Sequence, residues 1–120
     1  MPHGLGHLIG LDVHDVGGYL PQCPPRSDKP GLKSLRHARE LKPGMVTTNE
    51  PGCYFIEFLL DGKGHDVDLS QVNIAKAKEY LEVGGVRIED AIVITEHGNE
   101  ILTPSFLPRT VAEIEAFMAQ

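Results

Sequence analysis

The chain has 120 residues, 41% of them hydrophobic, which suits a single domain with a core of its own. Its formal net charge of −6, without any Lys/Arg-rich run, excludes the basic face that a nucleic-acid surface needs. It has no apolar stretch of about 18 residues and no charged start leading into an apolar core, so neither a membrane span nor a secretory signal is expected, and the cytoplasm is the expected compartment.

The first nineteen residues are dense in functional groups. His3, His7 and His14 are three of the six histidines, and they stand beside Asp12 and Asp15. His3 and His7 would share a face of a helix, but Gly4, Gly6 and Gly10 each cost a helix about 1 kcal/mol. Glycines among imidazoles instead let the backbone approach something closely, such as a ligand or a metal. Clustered imidazoles and carboxylates are the usual ligands of first-row metals. One such histidine could be an ordinary loop residue; three beside two aspartates point to a site.

From Leu20 to Gly31 four prolines fix φ and remove donors, so a surface loop is expected. Apolar residues at 32, 35, 38 and 41 permit a short helix, followed by a turn at Leu41–Gly44 with the Pro-Gly order of type II. Met45–Glu50 and Cys53–Leu60 read as strands meeting at a kink at Pro51-Gly52, with Glu50 at a strand end. Asn49 would then point away from Glu50 into the neighbouring layer, where a buried amide needs partners or costs of order 1–3 kcal/mol. A polar turn covers 61–66.

Ser70 can cap a helix from Gln71 to about Val83 that Gly84-Gly85 ends. Val86–Thr95 reads as one long strand, turning through His97-Gly98-Asn99 into a return strand at Glu100–Thr103. Thr110 and Glu113 have the capping-box spacing for a terminal helix from Val111 to about Ala119. The order of elements predicts an α+β domain, a curved antiparallel sheet with helices on one face. Cys23 and Cys53 read as free thiols, Cys53 as a small hydrophobe in a strand.

Three stretches together are more specific than any one of them: Pro2-His3-Gly4-Leu5-Gly6-His7, Pro43-Gly44-Met45-Val46-Thr47-Thr48-Asn49-Glu50-Pro51-Gly52 and Gly85-Val86-Arg87-Ile88-Glu89-Asp90. In this order they resemble the C-terminal part of the pita-bread metallopeptidases, a group that includes methionine aminopeptidase, aminopeptidase P and prolidase. His14-Asp15-Val16-Gly17-Gly18-Tyr19, Leu35-Arg36-His37-Ala38-Arg39 and Pro51-Gly52-Cys53-Tyr54-Phe55-Ile56 resemble the prolidase branch. The resemblance covers nearly all of the chain and thins across roughly 60–80. It implies the C-terminal half of a pita-bread fold and hydrolysis of Xaa-Pro dipeptides at a pair of divalent ions, manganese first, with cobalt or zinc as alternatives.

The resemblance also implies roles. His7 and Glu50 would bind one ion and Glu89 would bridge both; Glu50 would also move a proton between the activated water and the leaving nitrogen. His3 and His14 would contact substrate or stabilise the developing oxyanion. Arg36 would receive the free carboxylate of the C-terminal proline, a job suited to a planar guanidinium. Arg87, on the strand face of Glu89, would hold it in place and border the substrate. Two further aspartate ligands of the family lie upstream of the matching region, so residues 1–120 are expected to be a partial catalytic domain with little activity alone. The competing expectations are aminopeptidase P-like activity and a non-catalytic binding module of the same fold. A homodimer is expected to cover apolar sheet surface.

Overall fold

The computed structural model describes every residue except 19, 30 and 65–67. The turn predicted at 61–66 therefore lies partly outside the described residues. β1 (Val46–Asn49) and β2 (Gly52–Tyr54) are separated by Glu50 and Pro51, as the proline requires. A second interrupted pair runs back along them: β3 (Gly85–Arg87) against β2, then β4 (Asp90–Thr95) against β1. β5 (Gly98–Ile101) returns beside β4, so the order in the larger sheet is β1-β4-β5, all antiparallel. The long strand expected at 86–95 is thus broken at Ile88-Glu89, directly across from the Pro51 break.

The register does not slip at the break. Asn49 faces Asp90 and Gly52 faces Arg87, which leaves Glu50 opposite Glu89 and Pro51 opposite Ile88. The Ile88 amide donates to the Pro51 carbonyl across the gap. Two carboxylates therefore occupy facing positions on one bent two-stranded ribbon.

The N-terminal segment lies along the outer edge of β1. Leu8 bridges Thr47, and the amides of Ile9, Thr48 and Glu50 bond to the carbonyls of Val46, His7 and Leu5. The early glycines permit close approach to neighbouring backbone, while Gly4 and Gly6 also line a cavity. A Cβ on Gly6 would stand 2.1 Å from the Thr48 carbonyl oxygen, and one on Gly4 2.6 Å from that of Ser34.

Other expectations need correction. The Leu32–Leu41 spacing produces only a turn, with the amides of Leu32 and Lys33 bonded to the Lys29 carbonyl and Gly31 at φ +79°. Residues 57–60 form a one-turn helix, α1 (Glu57–Leu60), not the end of a strand. α2 (Ile74–Lys78) is shorter than the predicted 71–83 helix; Asn73 caps it in place of Ser70, and Gly84 at φ +74° ends the turns that follow. Asn49 and Cys53 are exposed, so neither burdens nor fills a core. The turn at Lys42–Met45 has the expected glycine, Gly44 at φ +87°. The two short helices are tied by Lys78 on Asp61 at 2.6 Å and by stacking of Phe55 on Tyr80.

The layer is open. The radius of gyration is 17.3 Å, against about 14 Å for a compact chain of this length. The accessible surface is 8992 Å², against roughly 6,400 Å² for a compact monomer of this mass. Leu8 is the one buried apolar side chain among the described residues, while Val86, Ile88, Ile101 and Phe106 are exposed.

α3 (Val111–Met118) has no buried residue, so its cap carries much of its local stability. Thr110 accepts from the Glu113 amide while Glu113 accepts from the Thr110 amide, the reciprocal box read from the sequence. Thr110→Ala is expected to weaken this helix by about 1 kcal/mol. Amide exchange at 111–118 should then quicken roughly fivefold while the β1 and β4 amides stay unchanged.

Candidate metal centre

Period-two alternation decides which side chains meet at the strand break. Thr48 and Glu50 share one face of their strand, and Arg87 and Glu89 share the same face of the opposing one. The Thr48 hydroxyl donates to Glu50 Oε1 at 2.9 Å. The Arg87 guanidinium lies 3.3 Å from Glu89 Oε2 and 3.8 Å from Glu50 Oε2, so one cation serves both carboxylates. Glu50 is buried and Glu89 exposed.

His7 is brought to the pair by the edge pairing of residues 5–9 with β1. Its amide donates to the Thr48 hydroxyl at 2.9 Å, and its carbonyl accepts from the Thr47 hydroxyl at 2.8 Å. His7 Nδ1 lies 3.1 Å from the Leu8 carbonyl oxygen, which can only accept. Nδ1 therefore carries the hydrogen in the neutral ring, leaving the Nε2 lone pair aimed inward, 3.4 Å from Glu50 Oε1.

His3 is held differently. Its Nδ1 donates to the Gly4 carbonyl at 2.7 Å and lies 3.8 Å from Glu50 Oε2. Its Nε2, in the neutral ring an acceptor, meets the Tyr54 hydroxyl at 2.7 Å. The Tyr54 ring covers Gly52 and Gly85, where added Cβ atoms would stand 2.6 and 2.5 Å from it. His14 is exposed and sets its ring edge-to-face on His7, centroids 4.4 Å apart. His3, His7, His14, Arg36, Glu50, Arg87 and Glu89 all line one cavity of 670 Å³, so the sequence-predicted residues converge.

Sequence reasoning missed Thr48, Tyr54 and Arg26, which line or brace the same cavity. Thr48 was findable, since a residue two before Glu50 on a strand must share its face. Tyr54 was not, because the bend at Pro51 brings its hydroxyl to a histidine 51 positions away.

The donor set decides whether a divalent cation suits this place. His7, Glu50 and Glu89 each offer a ligand atom within 4.8 Å of the others. One unprotonated imidazole nitrogen with two carboxylates is a set that manganese, cobalt or zinc accepts. The hydrogen bonds from Thr48 to Glu50 and from His7 to Leu8 are the outer contacts that orient metal ligands. The residues fit a metal.

Comparison with known proteins places this geometry. The model of metallopeptidase family M24 matches residues 1–96. Xaa-Pro dipeptidase of Rattus norvegicus is 56% identical over 120 residues, 99% of this chain and 24% of the relative. Among solved structures, aminopeptidase PepP of Pseudomonas aeruginosa superposes with a TM-score of 0.58 at 39% identity, covering 96% of this chain and 20% of that one. Aminopeptidase P of E. coli with the inhibitor Pro-Leu gives 0.56 at 41% identity over 98% of this chain and 20% of its own. The chain thus spans about a quarter of the length of the curated relative.

Two groups beside the site titrate away from their ordinary values. Asp90, next to Glu89, takes two hydrogen bonds from Arg109 at 2.8 and 2.5 Å, which hold its carboxyl below the usual carboxylate range. His37 bonds to the Thr47 hydroxyl at 3.3 Å. Burial, with the neighbouring His7 and Arg39 adding, lowers its pKa from 6.5 against an opposing hydrogen bond to its own backbone. The folded state thus favours the neutral ring, and below pH 6.5 the unfolded chain binds more protons. Stability should fall as the pH drops through 6.5 and level off once the folded imidazole also protonates. An NMR titration of His37 is expected to give a midpoint below 6.5, and His37→Gln should flatten this part of the stability profile.

Proposed function

Because the chain belongs to metallopeptidase family M24, we propose that it carries part of the active centre of a dipeptidase that cleaves Xaa-Pro dipeptides and releases the C-terminal proline. The observation that carries this reading is the cavity itself. It combines the His7–Glu50–Glu89 ligand cluster with a guanidinium, Arg36, that can take a substrate's terminal carboxylate. The partial coverage of the relatives supports reading residues 1–120 as part of a catalytic domain, with ligands of the second ion lying outside the chain.

In this reading His7, Glu50 and Glu89 would hold divalent ions, manganese being the first choice. When bound, such ions supply Lewis-acid chemistry, polarising the scissile carbonyl and easing loss of a proton from water. Glu50 would serve as the base that accepts a proton from water and gives it to the leaving nitrogen; the Thr48 bond fixes one of its oxygens for the task. His14, exposed at the cavity wall, donates to the substrate carbonyl, and His3, anchored by Tyr54, flanks the developing oxyanion. Arg87 offsets the charge of the two glutamates and borders the substrate. Proline's tertiary amide resists general peptidases, which suits an enzyme dedicated to it.

Aminopeptidase P-like activity is the second reading, favoured by the solved structures that superpose on the chain. Arg36 separates the two. The exposed apolar side chains also support association of two copies as a homodimer.

Hydrolysis of Gly-Pro by the metal-loaded holoenzyme tests the proposal, with Glu89→Gln expected to lose both bound metal and turnover. Arg36→Met should raise KM for Gly-Pro roughly tenfold, the weight of a charge-assisted contact, and spare longer peptides. An equal effect on dipeptides and longer peptides would favour aminopeptidase P. The 120-residue chain alone is expected to show little or no Gly-Pro hydrolysis.

A further inference from the structure

We propose that Arg26 is a positioning residue for substrate specificity: its guanidinium braces the 33–35 backbone so that Arg36 stands ready at the cavity for the substrate's terminal carboxylate. Arg26 Nη1 donates to the carbonyl oxygens of Lys33 at 3.1 Å and Leu35 at 2.7 Å. These carbonyls sit in a segment without regular structure, where neither a helix nor a strand ladder orients the backbone. One guanidinium nitrogen bonded on both sides of Ser34 therefore takes over part of the ordering that secondary structure supplies elsewhere.

The N-terminal segment approaches the same stretch of backbone. Gly4 packs so tightly on Ser34 and Leu35 that a Cβ there would stand 2.6 Å from the Ser34 carbonyl oxygen and 2.9 Å from the Leu35 Cα. The 33–35 backbone thus meets both the Gly4 backbone and the Arg26 side chain, and Arg36 follows at once. Arg26, Ser34 and Arg36 line the same cavity as the glutamate pair. The cavity lining thus combines Glu50 and Glu89, paired with Arg87, with the further guanidiniums of Arg26 and Arg36, a set that suits a short substrate with a free carboxylate. A second guanidinium also raises the local positive potential for that carboxylate before it is bound.

This inference rests on the dipeptidase reading, and the experiment separates the two. KM and kcat are measured on the metal-loaded intact enzyme that carries residues 1–120 within its catalytic domain, with Gly-Pro and with Gly-Pro amide, which lacks the carboxylate. Arg26→Met is expected to raise KM for Gly-Pro roughly tenfold, about one charge-assisted contact, with kcat nearly unchanged and the amide unaffected. Arg26→Lys should recover part of the loss, because an ammonium can donate to both carbonyls without the planar fork. In an Arg36→Met background, Arg26→Met should add nothing. If Arg36→Met raises KM and Arg26→Met does not, the positioning role falls while the dipeptidase reading stands. If Arg36→Met leaves KM unchanged, the carboxylate reading falls and takes this one with it. Equal losses on both substrates would mean general damage to the fold and would also overturn the role.

Discussion

Two carboxylates facing each other across an antiparallel strand pair are the constraint on which the rest of this structure depends. Register places Glu50 opposite Glu89, and like charges at facing positions of a ladder destabilise it. The surroundings answer that repulsion in several ways. Arg87 lies within 3.8 Å of both, the Thr48 hydroxyl takes one Glu50 oxygen, and the ladder itself is interrupted at this level. Pro51 has no amide to give, so the break falls where the charges are. A cation between the glutamates would complete the compensation, and the geometry and electrostatics of the pair both call for one.

The third corner comes from a segment that is not a regular strand. Residues 5–9 pair with the edge of β1, and glycine at position 6 is what lets the two backbones come so close. His7 then sits beside Glu50 with its ring fixed through Nδ1, so the nitrogen facing the glutamates is the one with a lone pair. Thr48 links the two corners, accepting from the His7 backbone and donating to Glu50. Both strand edges and side chains on one face thus converge at a single point, which is how residues far apart in sequence come together.

Much of the site was legible in the sequence because its parts are marked by chemistry or by period. The Pro-Gly after Glu50 announced a strand break, the histidines pointed to the cavity they line, and Arg87 could be placed beside Glu89 from alternation alone. The terminal capping box and the type II turn were legible for the same local reason. What failed depended on distance. The glycines at 4 and 6 were read as room for a ligand or metal, and the sequence did not show that they also make room for the backbones of Ser34 and Thr48. A helix was read at 32–41 from apolar spacing, although those carbonyls are claimed by Arg26 from outside the segment. Asn49 was expected inside a layer that the described residues do not cover. Periodicity reports which face a residue takes, not what lies against that face.

That distinction bears on the openness of the molecule. An accessible surface of 8992 Å² with Leu8 as the buried apolar side chain means that the described residues form almost no closed apolar core, the apolar side chains of β4 being half-buried. What orders the site here is polar: backbone pairing at the β1 edge, the Thr47 and Thr48 hydroxyls, the Arg87 and Arg109 ion pairs, and the Arg26 brace. Polar contacts are directional, so they fix angles and tautomers as well as proximity. Apolar packing against the exposed faces would add stability without redefining those angles. The metal centre is therefore specified locally by hydrogen bonds and charge, while the stability of the fold depends on surfaces that remain to be covered.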